Sequence, residues 1–94
     1  MSYGFNVRAA TKGEAIAAVE AEFDKVIAAQ PCHVADRYAA MKNAEAVIAM
    51  LPEPSETQDV TVSMNGYMSW IGNVEDGNFT GASVAASANI MPKL

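Results

Sequence analysis

Asp59-Val-Thr-Val-Ser-Met-Asn-Gly-Tyr-Met-Ser-Trp70 is the segment from which the fold can be read, because apolar or small residues alternate along it with polar ones. A period of two is typical of a β-strand with one buried face. The buried face would carry Val60, Val62, Met64, Gly66, Met68 and Trp70. The opposite face would carry Thr61, Ser63, Asn65, Tyr67 and Ser69. The segment therefore predicts a long strand with an apolar side and a polar side.

A second alternating segment follows after a turn. Gly72–Asn78 contains Asp76-Gly77, which is a strong turn signal. Beyond it, one face would carry Ala82, Val84, Ala86, Ala88 and Ile90, and the other Gly81, Ser83, Ala85, Ser87 and Asn89. Two alternating segments joined by a glycine-containing loop indicate a long antiparallel hairpin.

The N-terminal segment Tyr3–Ala9 shows the same period of two. Tyr3, Phe5 and Val7 share one face, and Gly4, Asn6 and Arg8 share the other. This pattern predicts a short, half-buried strand.

A helix is predicted between this strand and the hairpin, starting after Thr11. Glu14 follows Thr11 at the spacing of a capping box. The apolar stripe of this helix comprises Ile16, Val19, Phe23, Val26 and Ile27. Gln30-Pro31 should end it, since a residue before proline is disfavoured in the helical conformation.

A second helix is predicted from about Cys32 or His33 to Leu51. Its apolar side would comprise Val34, Tyr38, Met41, Ala44, Val47, Ile48 and Leu51. Because only a few residues separate the two helices, they should form an antiparallel hairpin.

The element order is therefore β-α-α-β-β in a single α+β domain spanning residues 1–94. We expect a three-stranded antiparallel sheet with the helical hairpin packed on one face. The strand order 1-2-3 is preferred, and 1-3-2 remains open. Phe5, Phe23 and Trp70 should supply the aromatic part of the core.

Composition excludes several classes of function. The net charge is −5, and the six Lys and Arg residues are scattered singly, so direct binding to nucleic acid or to an anionic membrane is not expected. Apolar runs such as Val47–Leu51 fall far short of the ~20 residues of a membrane span, and no secretory signal is evident. A single Cys cannot form an internal disulfide. We expect a soluble protein of a reducing cytoplasm.

The polar side of the predicted sheet is the candidate functional surface. It would present Asn6, Arg8, Thr61, Ser63, Asn65, Tyr67, Ser69, Ser83, Ser87 and Asn89. An exposed sheet normally carries long Lys or Glu side chains that keep other chains away, and this set has one charge and one tyrosine. We predict that it docks a second copy of the chain, as a dimer, or a partner protein. An ordinary solvated Ser/Thr surface is the alternative.

Residues that could support chemistry are few. Cys32-His33 is the nucleophile-and-base pair by residue type, but sequence neighbours rarely point at each other. A packed Cys32 and a His33 that hydrogen bonds locally to Asp36 are the preferred interpretation. One His and one Cys do not make a zinc site. We therefore expect a protein without enzymatic activity, catalytic residues, metal or cofactor.

Three segments of the sequence resemble a known group of proteins. They are Gly4-Phe-Asn-Val-Arg-Ala-Ala-Thr11, His33-Val-Ala-Asp-Arg-Tyr-Ala-Ala40 and Asp59-Val-Thr-Val-Ser-Met-Asn-Gly66. They resemble small uncharacterised accessory proteins of tailed bacteriophages and prophages, a group that brings no functional residues. The resemblance implies a bacterial cytoplasm and binding to a host or defence protein. A structural or assembly component of a phage particle, or an oligomer that sequesters a small ligand, are the alternatives.

Overall fold

A computed structural model describes the backbone of residues 2–71 and 78–93, with the side chains of residues 32, 36, 68–71 and 78–83 outside the description. The elements are β1 (Ser2–Ala9), α1 (Lys12–Ala29), a 3₁₀ helix (Pro31–Asp36), α2 (Arg37–Ala49), β2 (Gln58–Ile71) and β3 (Asn78–Pro92). The predicted α+β fold with the order β-α-α-β-β is confirmed. The predicted turn at Gly72–Asn78 lies, except for Asn78, outside the described residues.

The sheet has the strand order β1-β2-β3, with both neighbouring pairs antiparallel. Tyr3 lies opposite Gly66 in the first pair, and Val60 lies opposite Ile90 in the second. The order 1-2-3 is thus confirmed over 1-3-2. The central strand is β2, which also has the clearest alternation in the sequence.

Both ends of α1 follow from local sequence. At its start, the Glu14 N–H donates to Thr11 Oγ1 at 3.1 Å and the Ala15 N–H donates to the Thr11 carbonyl at 3.0 Å. At its end, the Gln30 N–H donates to the Val26 carbonyl at 2.7 Å before Pro31 stops the helix. The predicted N-cap and C-terminal stop are both confirmed.

Replacing Thr11 with alanine should lower the free energy of unfolding by about 1 kcal/mol, because the Glu14 N–H loses its side-chain acceptor. Urea denaturation checks this value. Thr11→Ser keeps the hydroxyl and should stay close to the unmodified protein. A loss of equal size in both variants would mean that the cap is not what Thr11 contributes.

The second helix departs from its prediction. Pro31–Asp36 form a 3₁₀ helix, and the α-helix proper runs from Arg37 to Ala49, two residues short of the predicted end at Leu51. The prediction that Val34 and Tyr38 are buried is wrong, since they are 62% and 75% exposed. A 3₁₀ helix has three residues per turn, so the face of Val34 shifts relative to an α-helical stripe.

The buried face of α2 explains the exposure of Tyr38. Ala40, Ala44 and Ile48 are the fully buried residues of this helix. Tyr38 precedes Ala40 by two residues, which places it about 160° around the helix axis from Ala40 and outside the buried face. Its ring instead lies beneath Lys42, with Nζ 5.4 Å from the ring centroid.

The core lies between the helices and one face of the sheet. Its buried members are Tyr3, Ala15, Val19, Phe23, Ala40, Ala44, Ile48, Val60, Val62 and Met64. Phe23 packs edge-on against Tyr3, with ring centroids 5.1 Å apart. Phe5 is half-buried against the cluster. The prediction for Trp70 concerns a side chain outside the description.

The hairpin of β2 and β3 is much longer than β1. The pairing of β1 with β2 ends at Tyr67, so within the described residues Met68–Ile71 pair with β3 only. A 15-residue strand such as β3 spans about 50 Å, which matches the longest dimension of the molecule, 50 Å. Among the described residues, none of the helices is long and apolar enough to cross a membrane.

Candidate docking face of the sheet

The face of the sheet turned away from the helices carries the predicted surface residues. Its described side chains are Ser2, Asn6, Arg8, Asp59, Thr61, Ser63, Asn65, Tyr67, Ala85, Ser87, Asn89 and Met91, called here the polar face. They form cross-strand rows such as Arg8–Thr61–Asn89 and Asn6–Ser63–Ser87. Thr61, Ser63 and Asp59 are half-buried, and the others are exposed. The rows show that the strand pairing assembles this face from all three strands.

Eight of the ten predicted surface residues lie on the polar face. Ser69 and Ser83 belong to β2 and β3, where they pair with Gly81 and Tyr67, but their side chains lie outside the description. Tyr67 is 53% exposed, as its position in the alternation predicts, and is the largest of the described side chains on this face. Met91 adds a second exposed apolar group, at 42%.

The charges on the polar face neutralise each other. Arg8 Nη1 donates to Asp59 Oδ2 at 3.1 Å and to the Pro92 carbonyl at 3.0 Å, so the three strands are joined at this end. Sequence reasoning omitted Asp59, although it has the same parity in β2 as Thr61. Because the guanidinium and carboxylate are paired, the described part of the face carries no net charge, against −5 for the chain.

The other ion pairs among the described residues lie on the helices and the loop after α2. They are Lys12–Glu53, Lys25–Glu22, Arg37–Glu20, Arg37–Asp24 and Lys42–Glu45. The two sides of the molecule therefore differ in chemistry, since the helical side is rich in ions and the sheet side is nearly neutral.

Several polar groups of this face are available to a partner. Thr61 Oγ1 donates to the Asn89 carbonyl at 3.3 Å. Within the described residues, no hydrogen bond engages the side chains of Asn6, Ser63, Asn65, Tyr67, Ser87 or Asn89. These groups can therefore bond to water or to a docked surface without breaking a contact inside the protein.

The polar face is shallow. Two open depressions of about 390 and 350 Å³ mark it. The first lies beside Ser2, Gly4, Asn65, Tyr67 and Ala85, and the second beside Asn6, Arg8, Thr61, Ser63, Ser87 and Asn89. Neither encloses a molecule, and such a surface suits the side chains of a facing protein better than a small ligand that needs to be surrounded.

His33 is held by the fold and lies away from the polar face. It is fully buried, with Nε2 3.0 Å from Gln30 Oε1 and its ring edge-on to Tyr3 at 4.9 Å between centroids. Gln30 Nε2 donates in turn to the Ser2 carbonyl at 3.2 Å. The predicted partner Asp36 and the neighbouring Cys32 have side chains outside the description. His33 thus fastens the start of the 3₁₀ helix to the first strand.

Across the part of the chain that the structure describes, no three His, Cys, Asp or Glu side chains come together as a metal site.

The chain was compared with known proteins at the level of sequence and of structure. Protein-family models, curated protein sequences and solved structures give no match.

Proposed function

We propose that this protein acts by binding another protein through the polar face, without enzymatic activity. One observation carries the proposal: the described part of this face has no unpaired charge, although the chain as a whole carries −5. Desolvating an unpaired charge is expensive, whereas a face of Ser, Thr and Asn exchanges water for new hydrogen bonds at little cost.

Side-chain entropy supports the same use of the face. Ser63, Ser87 and Thr61 are short, so they lose little rotamer freedom when a partner covers them. Tyr67 combines a ring with a hydroxyl and is the natural anchor, because tyrosine is enriched among residues that dominate binding energy. The surroundings of Tyr67 are small, with Ser2 and Gly4 of β1 nearby.

The resemblance of the sequence to accessory proteins of tailed phages supports a biological setting for this binding. In that setting the protein works in the cytoplasm of an infected bacterium and occupies a surface of a host or defence protein. A neutral docking face and an ion-rich opposite side would orient the complex, since the charged helices stay in water.

A lysine placed in the polar face tests the proposal. Ser63→Lys should weaken capture of the partner from an infected-cell extract about tenfold or more, because a long cation must be desolvated on docking. The free energies of unfolding of the variant and the unmodified protein should agree within about 0.5 kcal/mol, since position 63 is not in the core. Quantitative affinity capture with mass spectrometry measures the difference.

Ala46→Lys is the matched control, because Ala46 is exposed on α2 and the substitution makes the same change in net charge. This variant should bind as the unmodified protein does. Equal binding by Ser63→Lys, or equal loss by Ala46→Lys, would overturn the proposal. Purification with intact phage particles would instead favour the particle component, and a retained small molecule would favour the sequestering oligomer.

A further inference from the structure

The outer edge of β3 is a second surface that a partner can use. β3 is the last strand in the order β1-β2-β3, and within the described residues no other strand lies on its far side. With 15 residues it is the longest of the three described strands. A strand edge presents a row of backbone donors and acceptors to any strand that can lie beside it.

The register identifies which backbone groups point outward. The Lys93 N–H donates to the Thr57 carbonyl at 2.9 Å, one step beyond the Gln58–Pro92 pair. Hydrogen-bonded pairs alternate in an antiparallel ladder, so from Gly81 to Met91, where the register is continuous, the bonds to β2 fall on the odd residues of β3. The N–H and carbonyl groups of Val84, Ala86, Ala88 and Ile90 therefore face away from β2. Pro92 is also an even-numbered residue, so the N–H that proline lacks would have pointed away from β2, and no hydrogen bond between the two strands is lost.

Between the register shift opposite Ser69 and Trp70 and the terminal Pro92, this edge lacks the features that keep strands apart. Asn78–Pro92 contains no charged residue, and its proline stands at the last position. The opposite edge, β1, is shorter and better guarded. Gln30 Nε2 already occupies the Ser2 carbonyl there, and Arg8 lies near the far end. Of the two sheet edges, β3 therefore presents the longer row of backbone N–H and carbonyl groups without a charged side chain beside it.

We propose that two copies of this chain pair through their β3 edges, antiparallel about a twofold axis. Such a pair places the outward N–H groups of each copy opposite the outward carbonyls of the other, so the edge is its own complement. Pairing through β3 also joins two chains of net charge −5 along a strand that has no charged side chain. The result is a continuous six-stranded sheet. The edge and the polar face are separate surfaces, so this pairing stands whether or not the polar face binds a partner.

Ala86→Pro removes one outward N–H and puts a ring in the path of the second copy. Light scattering at ~100 µM should give about twice the chain mass of 9.9 kDa for the unmodified protein and a single chain for Ala86→Pro. Ser87→Lys, whose side chain lies on the polar face, should remain a dimer. A monomeric unmodified protein overturns the proposal. So does a dimer that survives Ala86→Pro but is lost in Ser87→Lys, because that dimer uses the face.

Hydrogen exchange of the unmodified protein tests the same pairing without a substitution. The amides of Val84, Ala86, Ala88 and Ile90 should exchange slowly at high protein concentration and quickly on dilution. The amides of Ala85, Ser87 and Asn89, which bond to β2, should stay protected at both concentrations. If the two sets respond alike to dilution, the copies do not meet at this edge.

Discussion

Replacing Phe23 with alanine should lower the free energy of unfolding by about 3–5 kcal/mol. Among the side chains that the structure describes, Phe23 is the largest one fully buried, and its ring packs edge-on against Tyr3 at 5.1 Å. A small domain is stable by only about 5–15 kcal/mol, so this loss is a large share of the total. The midpoint and slope of urea denaturation measure it.

Tyr67→Ala is the matched control for the loss of an aromatic ring. Tyr67 is 53% exposed on the polar face and has no place in the buried cluster. Its removal should cost well under ~1 kcal/mol, as expected for a surface position. Similar losses of unfolding free energy in the two variants would mean that the core does not lie between the helices and the inner face of the sheet.

Gly66→Ala should lower the free energy of unfolding by about 1–3 kcal/mol or more, although it adds only one methyl group. A Cβ at position 66 would overlap the ring and the hydroxyl of Tyr3. Tyr3 is the residue of the neighbouring strand β1 that pairs with Gly66. Tyr3 is 8% exposed and packed against Phe23, so it has little room to move. Urea denaturation again gives the size of the loss.

Gly13→Ala is the control for this substitution. Nothing lies within 4 Å of a Cβ at Gly13, and this glycine is in α1, so alanine should stabilise the protein by roughly 0.5–1 kcal/mol. Combining Gly66→Ala with Tyr3→Val should recover part of the loss, because the smaller side chain makes room. A stabilised Gly66→Ala protein would contradict the close approach of Tyr3 to the glycine.

The elements and the faces could be predicted from sequence because both depend on local periodicity. Alternation in β2 placed Val62 and Met64 inside and Asn65 and Tyr67 outside, and Thr11 with Glu14 located the start of α1. These signals lie within a few residues of each other. They need no knowledge of which strands are neighbours.

What the sequence did not predict depends on helix type and on strand register. The 3₁₀ helix changes the angular spacing before Arg37, which exposes Val34 and buries His33. The Arg8–Asp59 pair and the approach of Tyr3 to Gly66 arise from alignment of β1 with β2. Such contacts join residues about fifty to sixty positions apart, and no local pattern in a single sequence reports them.

The three tyrosines of this chain allow a direct test of where a partner docks. Tyr67 is exposed on the polar face, Tyr38 is exposed on the helical side, and Tyr3 is buried. The measurement is nitration by tetranitromethane of the free protein and of the complex isolated from infected cells, read by peptide mass spectrometry. We expect Tyr67 to react in the free protein and to be protected in the complex, while Tyr38 reacts in both. Protection of Tyr38 with continued reaction of Tyr67 would contradict docking at the polar face.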